Sequence, residues 1–103
     1  MKREGVYSII DSERDYQDFM EKTGTSHIVP DFPLSAGLLC IQKLLNDATQ
    51  LWYSEKSPYP KTMEIMRKIA AVSVKMGEKY DMKLNDKLSQ YSPTYIQQVI
   101  NSK

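Results

Sequence analysis

The fold is decided by residues 60–80, which read PKTMEIMRKIAAVSVKMGEKY. Apolar residues recur there every three or four positions, which predicts an α-helix, and Pro60 suits the first turn because no N–H is needed there. The main apolar stripe, expected to be core, is Ile65, Met66, Ile69, Val72, Met76 and Tyr80. A second face permits close approach of another helix, within the fold or across a dimer, and consists of Met63, Ala70, Val74 and Gly77. The remaining side is expected to face solvent and carries Glu64, Lys68, Lys75 and Lys79.

Two stretches before this one have the same helical periodicity. Residues 3–22 form the first predicted helix, with Arg14 on its polar side. Its apolar side consists of Val6, Ile9, Ile10, Tyr16, Gln17 and Met20. Residues 35–53 form the second, after Pro33, and its apolar face is so wide that we expect it to be the central helix, touched by several neighbours.

The end of the chain predicts one more helix. Ser92 and Pro93 are typical of an N-cap and a first helical position, and an amphipathic segment follows them. A helix this short needs a surface to dock on, either its own core or a second subunit. We therefore predict an all-α fold, a small oligomeric bundle of three main helices plus a short C-terminal helix. Residues 1–81 would be the core domain and residues 82–103 the extension.

The composition of the chain argues against nucleic-acid-binding and membrane proteins. The chain has 103 residues, of which 26% are charged and 41% hydrophobic, as in an ordinary globular domain. The net charge of +1 gives no general attraction to nucleic acid or to an anionic membrane, so neither is expected as a partner. No apolar run is long enough for a membrane span. The single cysteine, Cys40, suits a reducing cytoplasm.

The most unusual residue of the first helix is Glu13, which falls in the middle of the apolar side. A buried carboxylate is costly unless a cation or a hydrogen-bond donor lies beside it. Residues 8–21 hold five acids and one base, whereas residues 61–79 hold five bases and two acids. This opposition predicts that the first helix packs near the third, with Arg67 as the partner of Glu13.

Catalytic motifs are missing from the sequence. It has no glycine-rich phosphate loop, nucleophile elbow or HExxH motif, and we predict no catalytic residue, metal site or cofactor. Residues 78–81 match the E-x-x-D half of the motif of MazG-type pyrophosphatases, which bind Mg²⁺ through carboxylates, but the E-E-x-x-E half has no counterpart. The lone histidine, His27, is expected to be a surface or loop-tethering residue.

A cluster on the first helix indicates a ligand site instead. Residues 14–17 offer a cation, a stacking ring and an amide within one turn, next to Glu13. Aromatic rings can stack on a nucleobase, and Arg or Lys can bind phosphate. The candidate ligand-binding residues are Glu13, Arg14, Tyr16, Gln17, Trp52, Arg67 and Lys68. The alternative for the aromatic residues is structural, with Trp52 and Tyr80 in the core.

Some of these residues also resemble a sequence motif of a known protein family. The sequence Glu13-Arg14-x-Tyr16-Gln17 resembles the E-R-x-Y-Q motif of a family of small bacteriophage proteins, which also have a lone histidine in the following loop, where His27 corresponds. Their third helix reads I-R-K-I-A-A-x-x-V-x-x-M-E, to which MRKIAAVSVKM at residues 66–76 is similar. The resemblance covers residues 3–81.

The resemblance implies a phage protein located in the cytoplasm of an infected bacterium. Small helical phage proteins often act against host defence, either by trapping a nucleotide immune signal or by binding a host enzyme. The leading hypothesis is therefore a non-catalytic sponge for a cyclic nucleotide or a cyclic ADP-ribose isomer. The alternatives are a protein–protein inhibitor of a host defence enzyme, a MazG-like, Mg²⁺-dependent nucleotide pyrophosphatase, and a structural or accessory phage domain in which Glu13 merely pairs with Arg67.

Overall fold

The computed structural model describes residues 1–24 and 32–102, and in these ranges the chain is helical without a β-strand. The helices are α1 (Arg3–Lys22), α2 (Leu34–Ser54), α3 (Tyr59–Tyr80) and α4 (Pro93–Asn101), with a 3₁₀ turn at Lys87–Gln90. The predicted all-α class is confirmed, and each long helix begins and ends within one residue of the prediction. His27 lies outside the described residues.

The central helix is α3, because both α1 and α2 pack mainly against it. The prediction that α2 is central is therefore wrong. The physical reason is that α3 has two usable faces, and each receives a different helix. Its main stripe meets α2, and the second face, with Met63 and Ala70, meets α1. The expectation that the whole main stripe is core is wrong for Met66 and Tyr80, which are 53% and 42% exposed because they lie at the edge of the contact with α2.

Helices α2 and α3 form an antiparallel hairpin that contains most of the apolar core. The buried apolar residues are Ala48, Ala71, Val72 and Met76. At Gly37 the two helices approach so closely that an added Cβ would lie 2.5 Å from the Sδ atom of Met76. Lys79 Nζ and Tyr80 Oη each donate a hydrogen bond of 3.0 Å to the carbonyl oxygen of Phe32, which fixes the entry of α2 against the end of α3.

The end of α3 and the start of α4 are each set by the backbone conformation and hydrogen bonds of a few neighbouring residues. Asp81 has a left-handed conformation with φ 58°, and the N–H of Met82 donates to the Gly77 carbonyl at 3.3 Å, which closes α3 with a Schellman-type turn. As predicted, α4 starts at Pro93 after a Ser92 cap, whose Oγ accepts a 3.2 Å hydrogen bond from the Tyr95 N–H. Within residues 79–102 every residue except Ile96 is exposed.

The molecule is open for its size. Its accessible surface is 8583 Å², whereas a compact monomer of this mass exposes about 6,000 Å². The radius of gyration is 17.2 Å, against about 13 Å for a compact chain of this length. Three helices side by side with α3 in the middle form a layer, so much apolar surface stays uncovered.

Candidate functional site

Ion pairs between an acidic helix and a basic helix form the interface of α1 with α3. Arg67 Nε donates to Glu13 Oε1 at 2.7 Å, and Lys75 Nζ donates to Glu21 Oε2 at 2.7 Å. The two pairs have the same offset along the chain, which shows that α1 and α3 run parallel. The predicted packing of the first helix near the third and the predicted pair of Glu13 with Arg67 are both confirmed. The expectation that Lys75 faces solvent is wrong, because its pairing with Glu21 leaves it only 8% exposed.

The Glu13–Arg67 pair is asymmetric. The Glu13 side chain is 8% exposed, whereas that of Arg67 is 35% exposed. The carboxylate is therefore held inside the interface, and the guanidinium reaches outward from it. Only the Nε atom of Arg67 hydrogen-bonds to another residue in the part of the chain that the structure describes. The terminal amino groups remain available to an anion.

Arg67 lies in an apolar groove, which we call the α1–α3 cleft. The groove has a volume of about 480 Å³, which is in the range of small-molecule sites. Its walls are Met1, Val6, Ile9, Ile10, Pro60, Met63, Glu64, Met66, Arg67 and Ala70. The cleft thus combines a mostly apolar wall with two charged residues, the cation Arg67, which pairs with Glu13, and the acid Glu64.

Arg14 forms hydrogen bonds and ion pairs within the fold. Its Nε and Nη2 atoms donate to the two carboxylate oxygens of Glu78 at 3.0 and 3.1 Å, and Nη1 donates to Gln17 Oε1 at 3.2 Å. Asp18 adds an ion pair at 3.0 Å. The expectation that Arg14 lies on the polar side is wrong, since it is only 6% exposed. A single acid, Glu78, near the end of a basic helix was the signal that could have located this pair.

Hydrogen bonding to Glu78 raises the pKa of Arg14 above its usual value, against the opposing effect of burial. A cation whose pKa is higher in the folded state stabilises the fold at every pH below its unfolded pKa, and this contribution is lost only as the pH rises through the folded pKa. Arginine is charged throughout the physiological range in both the folded and the unfolded state, so the pair with Glu78 stabilises the fold over that whole range. Its donors are engaged by protein groups, so Arg14 acts here as a tie between α1 and α3.

The other predicted site residues are dispersed. Tyr16 is 56% exposed and Lys68 is also exposed, and neither lines the clefts described here. Trp52 is 51% exposed and lines a second groove, the α2–α3 cleft of about 580 Å³. The walls of this cleft are Leu45, Ala48, Thr49, Trp52, Tyr53, Thr62, Met66, Ile69 and Ala70. Of the seven predicted residues, the structure thus pairs Glu13 with Arg67, which lines one cleft, joins Arg14 to Gln17, and leaves Trp52 at the other cleft.

Carboxylates do not gather into a metal site in the described part of the chain, where no group of three or more His, Cys, Asp or Glu residues has suitable geometry. Both oxygens of Glu78 bind Arg14, and Asp81 pairs with Lys83 at the end of α3. These contacts give the E-x-x-D segment a structural role. The pyrophosphatase alternative gains no support from them.

Comparison with known proteins adds no family to this geometry. The chain matches no family model, no curated protein sequence and no solved structure. None of the described helices is long and apolar enough to cross a membrane.

Proposed function

We propose that the protein is a non-catalytic binding protein that sequesters a nucleotide-type anion in the α1–α3 cleft. The observation that carries this proposal is the position of Arg67, which lines an apolar groove while its Nε donates to Glu13. The phage resemblance supplies the biological setting. In that setting the ligand is a cyclic nucleotide or a cyclic ADP-ribose-like immune messenger, bound in the cytoplasm of an infected bacterium.

The chemistry of the cleft suits such a ligand. A guanidinium forms strong, paired hydrogen bonds with phosphate oxygens, and a fixed guanidinium loses little freedom on binding. Glu13 fixes it through a 2.7 Å hydrogen bond that leaves the outer edge free. The apolar wall formed by Ile9, Met63 and Met66 would cover the flat face of a base. The cleft therefore offers a nucleotide one cationic contact and one apolar contact, with the acid Glu64 on the same wall.

The protein acts as an oligomer in this proposal. The α1–α3 cleft is open on one side of the helical layer, and a ligand lying in it would keep much of its surface in water. Tight small-molecule sites bury most of the ligand. A second subunit placed over the layer would supply the missing wall, which agrees with the large accessible surface of a single chain.

Calorimetric titration of the full chain against cyclic dinucleotides and cyclic ADP-ribose isomers tests this function. We expect saturable binding of one of them, with loss of binding in Met63→Trp, which fills the cleft and leaves both members of the Glu13–Arg67 pair in the sequence. The matched control is Leu84→Trp, which places the same ring at a site that is 90% exposed and far along the chain. No binding to any member of the panel at micromolar concentrations would overturn the proposal.

The contribution of charge is tested by a second matched pair of variants. Arg67→Met removes the cleft cation, and Lys87→Met removes an exposed cation from the 3₁₀ turn. Both variants lower the net charge by one, so a general electrostatic effect would weaken binding equally. We expect weaker binding only in Arg67→Met. Recovery of chemically unchanged ligand after heat denaturation distinguishes a binding protein from a hydrolase.

A protein–protein inhibitor is the second candidate, and the exposure of α4 favours it. This helix presents Tyr95, Val99 and Ile100 at exposures of 52%, 54% and 65%. An amphipathic helix of this kind can lie in an apolar groove of another protein. Affinity capture from infected cells would then yield a host protein in stoichiometric amount, and the capture would fail with Val99→Asp.

A further inference from the structure

Helix α2 carries more apolar surface than the fold uses. The side that faces α3 is buried or partly buried and contains Gly37, Ile41, Leu44, Ala48 and Leu51. Next to it lies a second apolar row, which we call the α2 stripe, formed by Leu34, Leu38, Leu45 and Trp52. These four side chains are 46%, 63%, 56% and 51% exposed. The wide apolar face of α2 is therefore only half covered by α3.

The spacing of the α2 stripe is that of a helix-pairing surface. Leu38, Leu45 and Trp52 are seven residues apart, and Leu34 precedes Leu38 by four. Apolar residues that repeat with this period form a straight seam along a helix and pack against another helix. Leu45 and Trp52 also line the α2–α3 cleft, so the stripe and the cleft are one continuous apolar surface.

The uncovered surface of the chain is large enough to accommodate a second copy as the occupant. The accessible surface of the whole chain, 8583 Å², exceeds that of a compact monomer by about 2,600 Å², and the α2 stripe and the exposed segment 79–102 both contribute to this excess. Obligate homodimers bury about 1,000–2,500 Å² on each chain. The α2 stripe has no charged member, so two stripes related by a two-fold axis meet without like charges in contact.

We propose that two copies of this chain dimerise through the α2 stripe, with α2 of each copy packed along α2 of the other and Trp52 buried between them. This inference rests on the oligomer proposed above and not on the identity of its ligand. The second copy is the neighbour that the wide apolar face of α2 lacks within one chain. Because the α2–α3 and α1–α3 clefts share Met66 and Ala70, the same copy would border the ligand cleft.

Light scattering coupled to size-exclusion chromatography on the ligand-free full chain tests the interface. We expect a mass of about twice the 11.9 kDa of one chain at micromolar concentration. Leu38→Glu/Leu45→Glu is expected to halve this mass while the far-UV circular dichroism stays helical, because both side chains are exposed in the single chain. The matched control is Leu84→Glu/Leu88→Glu, which makes the same chemical change at sites 90% and 59% exposed. The control is expected to keep the mass of the wild type.

The tryptophan provides a readout that needs no variant. Trp52 is the single tryptophan of the chain and lies in the α2 stripe. Its emission is expected to shift to longer wavelength on dilution, over the concentration range in which the mass falls by half. This readout decides the question if Leu38→Glu/Leu45→Glu does not fold.

Several results would contradict the proposed dimer interface on α2. A monomeric wild type overturns the inference, and so does a dimer that the α2 variant leaves intact or that the control also dissociates. Emission from Trp52 that does not change while the mass halves places the interface elsewhere and also overturns it. A dimer that binds no nucleotide would remove the proposed function and keep this interface. A monomer that binds one would keep nucleotide binding and remove both this interface and the proposed oligomer.

Discussion

Removing the two partners of the Glu13–Arg67 pair one at a time should have unequal effects on stability. Breaking a buried ion pair from one side costs about 3–5 kcal/mol, because the remaining charge is buried without a partner. In Arg67→Met the remaining charge is Glu13, which is 8% exposed. We therefore expect a loss of about 3 kcal/mol, a large part of the roughly 5–15 kcal/mol that stabilises a domain of this kind.

The opposite substitution should be much milder. In Glu13→Gln the amide oxygen can still accept the Nε–H of Arg67, whose side chain is 35% exposed and can be hydrated from the cleft. The expected loss is about 1 kcal/mol, the typical difference between a charged and a neutral hydrogen bond. Replacing both residues, in Glu13→Leu/Arg67→Met, removes both charges and should recover most of the stability lost in Arg67→Met.

Urea unfolding followed by circular dichroism at one fixed protein concentration measures these differences as shifts of the midpoint at constant slope. Asp47→Asn is the control, because its pair with Lys43 joins side chains that are 48% and 78% exposed. That control should change stability by less than about 0.5 kcal/mol. Equal losses in Glu13→Gln and Arg67→Met would contradict the buried position of the Glu13 charge, and so would a double variant less stable than Arg67→Met.

Three further predictions concern the helix contacts. Gly37→Ala should lower stability by about 1 kcal/mol despite the better helix propensity of alanine, because the new Cβ would lie 2.5 Å from Met76 Sδ. Gly5→Ala is the control and should not lower stability. Equal effects of the two substitutions in thermal unfolding would contradict the close α2–α3 contact. A double-mutant cycle of Arg14→Met and Glu78→Gln should give a coupling energy of about 1–2 kcal/mol for the bidentate pair, whereas a coupling near zero would show that the pair does not tie α1 to α3. Asp81→Gly should raise the melting temperature because φ is 58° there, and an unchanged or lower value would contradict the left-handed cap.

The helices could be predicted from the sequence because their signals are local. The apolar period of α3 and the Ser92–Pro93 cap each depend on neighbouring residues, and the structure places them as predicted. The pairing of Glu13 with Arg67 could also be predicted, because one acid on an apolar face needs a cation and α3 has an excess of bases. The opposite charges of the first and third helices therefore predict from the sequence alone that these two helices pack together.

The burial of Arg14 and Lys75 could not be predicted, because it depends on the register between helices that are far apart in sequence. Periodicity shows which side of a helix is apolar, but it does not show which long polar side chain crosses that side to reach a partner. Arg14 reaches Glu78 and Lys75 reaches Glu21 only because α1 runs parallel to α3. In the opposite orientation the same charges would meet different partners.

The central position of α3 follows from a related effect. The sequence of α2 has the wider apolar face, and in one chain a wide face implies several neighbours. The structure gives α2 one main neighbour and leaves Leu38, Leu45 and Trp52 exposed. The width of an apolar face reflects all the helices that pack against it, including any from another subunit, whereas the structure of one chain contains only the helices of that chain. Because α2 has a wide apolar face and one main neighbour within the chain, a second copy is the natural source of another neighbour.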